Sequence, residues 1–525
     1  MRGYRYLKES NQLDLITEIR VKLNNTYLNK INTTSRKLIY GAGIHNAELI
    51  TRQFLLSKLG GIKMNKILLY SLGDKGSPLI YPMPFQWQII VRNYGFHVAR
   101  IRCSLSWISY VGLFWCYGVF TIVKQVFISI HEMVHPQLSH FGKYVYFDSL
   151  KANNLPQHIK SEKNYDIISW YYQWSGRIIE PNYLFHCVKN VNTGSVEGIP
   201  VLFRPYIIPP LISFLTLILF INWGIATSIL AIYDLLRGHW WHALMLKESA
   251  LSAQTRFQDK EKLAKDYMFN NSNWLYRPLW SYEVEKQGSR ILFYFYSTNC
   301  EIFKRPEGYS PDRSGWEIMS WPLYLVWDEF QADFVRRAVG ENINISVVGP
   351  IWFQSSLMEL QTLPPKSIAI FDVQPHRDSR YQLLGAEQEY YVPSIANKFL
   401  LDIYKVLKEF DATMVLKRKR KIGKLDNRRY TTVVKNLSSL DNFISIDPDI
   451  SARIIIERSA LVISMPFTST ALIGKEYGKP SVYYDPTGII QKDDRAAHGI
   501  PIIIGVNELR SWFTTVYEPC FNNFL

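Results

Sequence analysis

Apolar and polar positions alternate most regularly in the last third of the chain. There "KSIAIFDV", "ATMVLKRK", "LVISM" and "PSVYYD" read as buried strands, with "PSIANKFLLDIYKVLKEF", "ISARIIIERSA" and "TSTALIGKEYG" as the helices between them. Strands separated by helices of this length predict parallel βαβ units with right-handed crossovers, and so a Rossmann-like domain over residues 363–525. Further upstream, "SRILFYFYSTN" and "PLYLVW" are strand-like, and the second leads into the helical "DEFQADFVRRAVG". Residues 65–102 read as strand, loop, helix and second strand, the start of another βαβ domain.

Two apolar runs break this pattern. Ser104 to Val123 gives 20 residues without a charge, and Pro205 to Tyr233 gives 29. About 20 such residues suffice to cross the hydrocarbon layer, so both qualify on length. Pro209, Pro210, Asn222 and Gly224 interrupt the second run, which leaves a re-entrant or surface-lying hairpin, or a buried helix pair, as other readings. The expected fold class is therefore α/β: two Rossmann-type domains facing one cleft, the first interrupted by a membrane-associating region. Its expected parts are residues 1–103 as the first part of the N-terminal domain and 104–240 as the apolar insertion. Residues 241–362 complete that domain and the linker, and 363–525 form the C-terminal domain.

A length of 525 residues exceeds one core, and 47% hydrophobic with 20% charged residues is the composition of a folded protein. The net charge of +15 points to acidic partners such as nucleotide or lipid phosphates. Much of it is concentrated in "VLKRKRKIGKLDNRR", and no nucleic-acid module is evident, so nucleic acid is not an expected partner. Five scattered cysteines form no CxxC pair, and the N-terminal residues lack a signal-peptide core, so a reduced, cytosolic setting is expected.

The stretch "SMPFTSTALIGKEYGKPSVYYDP" concentrates the candidate chemistry. In an open parallel sheet, ligands bind beyond the carboxyl ends of the strands. Ser464 ends a strand there, Pro466 suits a pre-helix position because it needs no amide partner, and both, with Phe467, are expected among the donor-binding residues. Thr468, Ser469 and Thr470 then offer hydroxyls beside the free N–H groups of a helix start, an arrangement suited to phosphate. Plain N-capping is the simpler alternative. Glu476, further along that helix, could accept from ribose hydroxyls. Lys417 and Lys419 follow another strand, and His376 and Arg377 a third, all opening onto the same crevice. For the general base, Asp74 in "SLGDKGSP" leads, with Asp328 and Glu329 after "PLYLVW" as competitors.

The run "ISMPFTSTALIGKEYGKPSVYYDPTG", preceded by "IDPDISARIIIERSA", resembles the donor-binding half of GT-B glycosyltransferases. In particular it resembles the bacterial surface-polysaccharide biosynthesis proteins named for a Pro-Phe-Thr-Ser motif, here Pro466 to Ser469. The resemblance implies transfer of a sugar from a nucleotide-sugar donor to a growing surface glycan or polyprenyl-linked acceptor, at the cytoplasmic face of the inner membrane. It adds weight to Glu476 as a ribose ligand. The hydroxyl cluster also resembles that of bacterial sialyltransferases, which makes a CMP-activated acidic sugar one candidate. The His-Pro pair of those enzymes is replaced here by the basic run, so UDP-, GDP- and dTDP-sugars stay open. No metal or further cofactor is expected, since no DxD-type cluster ends a strand. The rival reading is "HEMVH": His131, Glu132 and His135 as two zinc ligands and a base, the pattern of a membrane metallohydrolase, although Pro136 should end its helix.

Overall fold

Six parallel strands form the C-terminal sheet: β9 (Ser367–Phe371), β10 (Thr413–Lys417), β11 (Phe443–Ile446), β12 (Leu461–Ser464), β13 (Ser481–Asp485) and β14 (Ile502–Ile504). Their order is β11-β10-β9-β12-β13-β14, the doubly wound 3-2-1-4-5-6 arrangement, and its switch point falls between β9 and β12. Helices on both faces bury these strands, which is why they read as near-continuous apolar runs. The strands and helices expected in this domain are present. The computed structural model describes residues 2–26, 54, 62–74, 77–135, 143–271, 276–351 and 360–522, apart from 13, 157–165, 177–179, 192–193, 310–315, 317–318, 374, 376–389 and 419–426.

A second sheet precedes it, of eight strands: β1 (Tyr144–Phe147), β2 (Tyr183–His186), β3 (Ser195–Val196), β4 (Ile199–Phe203), β5 (Asp266–Asn270), β6 (Arg290–Tyr294), β7 (Tyr324–Val326) and β8 (Ile345–Val347). The order is β3-β4-β2-β1-β5-β6-β7-β8, with only the β3–β4 pair antiparallel. Leaving out the short β3, this repeats the same winding, with a switch point between β1 and β5. One hydrophobic core is continuous through both sheets, from Val145, Met268 and Leu292 by way of Ile351 and Leu360 to Ala369, Val415 and Val462.

The N-terminal expectation needs correction. The run around "KILLY" is a helix, Ile62–Gly73, not a strand. Short apolar runs fit either element, and here packing decides. A Cβ on Gly3 would lie 1.9 Å from the Leu69 carbonyl oxygen, so the helix Arg2–Glu9 meets this one backbone to backbone. The second expected strand contributes only one bridge, Leu79 with Val98. Strand β1 therefore opens the N-terminal sheet at Tyr144. The described residues before 104 are largely helical, and the supposed insertion 104–240 itself supplies β1 to β4.

The apolar runs lie in two helices, Arg100–Val134 and Phe214–Leu236. Pro209 and Pro210 precede the second, but Asn222 and Gly224 do not interrupt it. Gly224 is instead a contact point, since a Cβ there would sit 2.6 Å from Ile122 Cγ2. The pair is antiparallel: Trp115 Nε1 donates to the Ser228 carbonyl (3.1 Å), and Ser129 Oγ accepts from Leu211 N (3.0 Å).

Candidate active site between the two sheets

The carboxyl ends of the two sheets face each other. The loop after β6 reaches the Pro-Phe-Thr-Ser turn, where Thr298 N donates to Ser469 Oγ (3.1 Å) and the two hydroxyls lie 3.2 Å apart. Phe303 packs its ring among those of Phe467 (4.8 Å), Tyr390 and Tyr391 (5.7 Å each). Further along this seam, Glu301 pairs with Arg495 and Arg337, and Asp494 accepts from Lys304 N and the Tyr309 hydroxyl. Burial pushes both acids above the usual carboxylate range.

The turn itself is built by its residues in sequence. Met465 N still bonds the Phe371 carbonyl (2.8 Å), which holds β12 against β9 at the switch point. Phe467 then adopts a left-handed backbone, φ 63°, which an L-residue with a ring rarely does. Its ring, buried between Phe303 and Tyr483, holds the reversal in place. Thr468 Oγ1 donates to the Met465 carbonyl (2.9 Å), and Ser464 Oγ and Thr470 Oγ1 are 2.9 Å apart. The helix Ser469–Glu476 lies hard against β12, because a Cβ on Gly474 would come within 2.7 Å of Val462 Cγ2.

The predicted donor residues thus divide. Phe467 and the carbonyl of Pro466, which accepts from the Tyr391 hydroxyl (2.9 Å), belong to the seam. Ser464 shapes the turn, and Ser469 Oγ ties it to the other sheet. The N–H groups of Ser469 and Thr470, first in the helix and half-buried, lack intrahelical acceptors and lie past the carboxyl end of β12. Glu476 is exposed in the last turn, seven residues and roughly 10 Å of helix beyond Ser469. Lys419, His376 and Arg377 lie outside the described residues.

Lys417 ends β10 at only 6% exposure, and Nζ donates to the Pro448 carbonyl (3.1 Å). Burial pushes its ammonium down to about 8, opposed by the charges of Asp372, Asp449 and Asp447. Asp372, the first residue past β9, is 3% exposed, and burial raises it to about 6 against the Tyr430 hydroxyl bond and the cations Arg418 and Lys417. Among the described residues, Asp372 Oδ1 and Arg418 Nε are buried without a hydrogen-bond partner. Unmet polar atoms of this kind at a strand edge are ready for a ligand's polar groups. Sequence reasoning took Lys417 and missed Asp372 and Tyr430. The one available signal was an acid directly after a buried strand, and Tyr430 comes from a helix, Arg428–Leu437, that only the fold brings over.

The proposed bases fare differently. Asp74 is exposed at the end of a helix outside both sheets, accepting from Ser77 Oγ (2.8 Å), because the strand expected before it does not exist. Asp328 N-caps the helix Glu329–Val339 and lies 2.7 Å from the buried His498 Nδ1 across the seam, and Glu329 is exposed beside it. The acid that does follow a central strand is Asp148, directly after β1. Ser149 Oγ donates to it (2.7 Å), and its N–H bonds the Met268 carbonyl of β5 (3.1 Å), at the N-terminal switch point. His131 and His135 are exposed with ring centroids 5.3 Å apart, but the helix ends at Val134 and His135 is its C-cap. Among the described residues no group of three His, Cys, Asp or Glu side chains is placed to hold a metal.

Two doubly wound sheets that meet through the loops at their carboxyl ends define a GT-B-like α/β protein. The profile of the polysaccharide biosynthesis PFTS motif proteins matches residues 223–513, and the chain belongs to that family. Among solved structures it is similar to the UDP-GlcNAc 2-epimerase from Methanocaldococcus jannaschii, at 9% identity and a TM-score of 0.37 over 73% of this chain and 93% of that one. The glycotransferase of kitacinnamycin overlaps at 12% identity and a TM-score of 0.35, over 72% of this chain and 91% of the other. Among curated proteins, none matches in sequence.

Proposed function

We propose that this protein is a glycosyltransferase of surface-polysaccharide synthesis. It moves a sugar from a nucleotide-sugar donor to an acceptor hydroxyl on a growing or lipid-linked glycan. The observation that carries the reading is the pair of doubly wound sheets that meet through their carboxyl-end loops, joined at Thr298 and Ser469. One edge carries N–H groups and cations for a phosphate; the other carries an acid for a hydroxyl.

In this reading the donor's phosphates lie at the N–H groups of Ser469 and Thr470, within reach of Lys417 and Arg418. Helix dipole and cations then stabilise the negative charge that develops as the nucleotide departs. The carboxylate of Asp148 takes the proton from the acceptor hydroxyl as its oxygen attacks the anomeric carbon. The sugar–phosphate bond breaks in the same step, leaving a nucleotide and an extended glycan.

Thermal unfolding with CMP, UDP, GDP and dTDP tests the donor half. A nucleotide at 100-fold over its Kd should stabilise the fold by about 2.7 kcal/mol. Asp148→Asn should keep that response and lose transfer. Silence to all four nucleotides would remove the assignment. A nucleotide-dependent change of the sugar that needs no acceptor would replace transfer with isomerisation.

A further inference from the structure

We propose that the two apolar helices lie in the plane of an anionic lipid surface and enter one leaflet side-on, rather than crossing the bilayer. By length and hydropathy alone both could cross: Arg100–Val134 has 35 residues, Phe214–Leu236 has 23, and their most apolar windows reach mean hydropathies of 1.6 and 2.1. What forbids it is where the chain goes at each end.

Helix Phe214–Leu236 follows β4 and is itself followed by helix Trp241–Arg256, which leads into β5. Strands β4 and β5 belong to one continuous sheet. If the first of these helices crossed, the second would have to cross back. It has only 16 residues, about 24 Å, with Lys247 and Glu248 near its middle. This third helix runs along the inner side of Arg100–Val134. Trp240 packs on Trp107 (ring centroids 5.0 Å), a Cβ on Gly118 would lie 2.6 Å from Leu246 Cβ, and Gln254 reaches the Pro209 carbonyl (2.8 Å) near Ser129. Behind it stands the helix Trp280–Lys286, whose Glu283 pairs with Arg256. The N-terminal helices close the far end, in one core with Trp240, Met245, Tyr276 and Tyr282. Both ends of both apolar helices therefore belong to the same water-facing body, and a bilayer across them would bury charged helices and a sheet.

The outer side is different. Leu105, Ile108, Leu113, Phe120 and Phe127 are each at least 60% exposed along one stripe of the first helix, and Phe214, Leu215 and Ile229 are at least 63% exposed on its neighbour. No charge interrupts either stripe between Leu105 and Val123 or between Phe214 and Tyr233. The exposed polar residues within the two stripes, Ser109 and Asn222, are uncharged. Cations stand at its ends and edge: Arg100, Arg102, Lys124 and Arg237 are exposed, and Lys247 Nζ reaches over the Tyr117 ring (4.9 Å). Apolar face, basic edge and a net charge of +15 together match an anionic headgroup layer over hydrocarbon.

The test uses the full-length chain and vesicles of phosphatidylethanolamine with phosphatidylglycerol. Cys116, exposed on this face, takes an environment-sensitive dye on a background with the other four cysteines replaced by alanine; Leu105→Cys and Phe127→Cys, each made with Cys116→Ala, report on either side of it. In-plane docking predicts equal quenching depth at all three positions by lipids brominated near the headgroups. Leu113→Glu, at a fully outward position, should lower vesicle binding about tenfold or more with unchanged thermal unfolding. A probe at 116 much deeper than at 105 and 127 would mean crossing and overturn the proposal. So would a chain that ignores vesicles and forms a dimer dissociated by Leu113→Glu.

Discussion

At pH 8 the buried ammonium of Lys417 is about half protonated, because burial has pushed it down to about 8. If a nucleotide phosphate settles beside it, the new negative charge favours the protonated form and should raise that value by roughly 1–3 units. Binding must then take up a proton. For a rise to about 9 or above, the protonated fraction goes from about 0.5 to 0.9 or more, an uptake of roughly 0.4–0.5 proton per site. Asp372, at about 6, is almost fully ionised at pH 8, and a rise to about 7 there adds less than about 0.1, while Asp372→Asn subtracts whatever a larger rise contributes. The ligand's own phosphate is fully ionised at that pH. Titration calorimetry in two buffers of different ionisation enthalpy reads the uptake as the slope of observed enthalpy against buffer enthalpy. Lys417→Met should bring the slope close to zero and weaken binding. A zero slope in the native protein, or one that Lys417→Met leaves unchanged, would refute the placement of the phosphate at β10.

Three other outcomes follow from the same contacts. Ser469→Ala removes the link to Thr298 and should cost about 1 kcal/mol in denaturant unfolding, with faster amide exchange in residues 297–309. Gly118→Ala forces a Cβ into Leu246 and should destabilise by about 1–3 kcal/mol, while Gly112→Ala, with nothing within 4 Å, should be neutral or stabilising by up to about 1 kcal/mol in the same helix. Asp372 is raised in the fold from 3.8 to about 6, so its contribution is fully present below pH 4 and is lost as pH rises to 6. A urea-midpoint profile of Asp372→Asn should lack that fall between pH 4 and 6; a profile parallel to the native one would place the carboxyl in solvent.

The C-terminal domain was legible because its strands are covered on both faces. A strand buried on both sides must be apolar throughout, and β9, β10, β12 and β13 announce themselves for that reason. The turn at Pro466 to Ser469 was legible too, since a strand-to-helix corner needs a residue without an N–H and side chains that can serve a helix start. Tertiary structure alone decided the rest. "KILLY" carries enough apolar residues for either a strand or a helix, and the close pass of Gly3 over Leu69 made it a helix, which took Asp74 away from any sheet edge. Asp372, Tyr430 and Lys417 come from three separate elements, and no local pattern records that their side chains meet. The same holds for the apolar helices. Hydropathy measures how readily a segment leaves water, but whether it crosses a membrane depends on which side its ends return to, and that is written in the packing of Trp241–Arg256 and in the one sheet shared by β4 and β5.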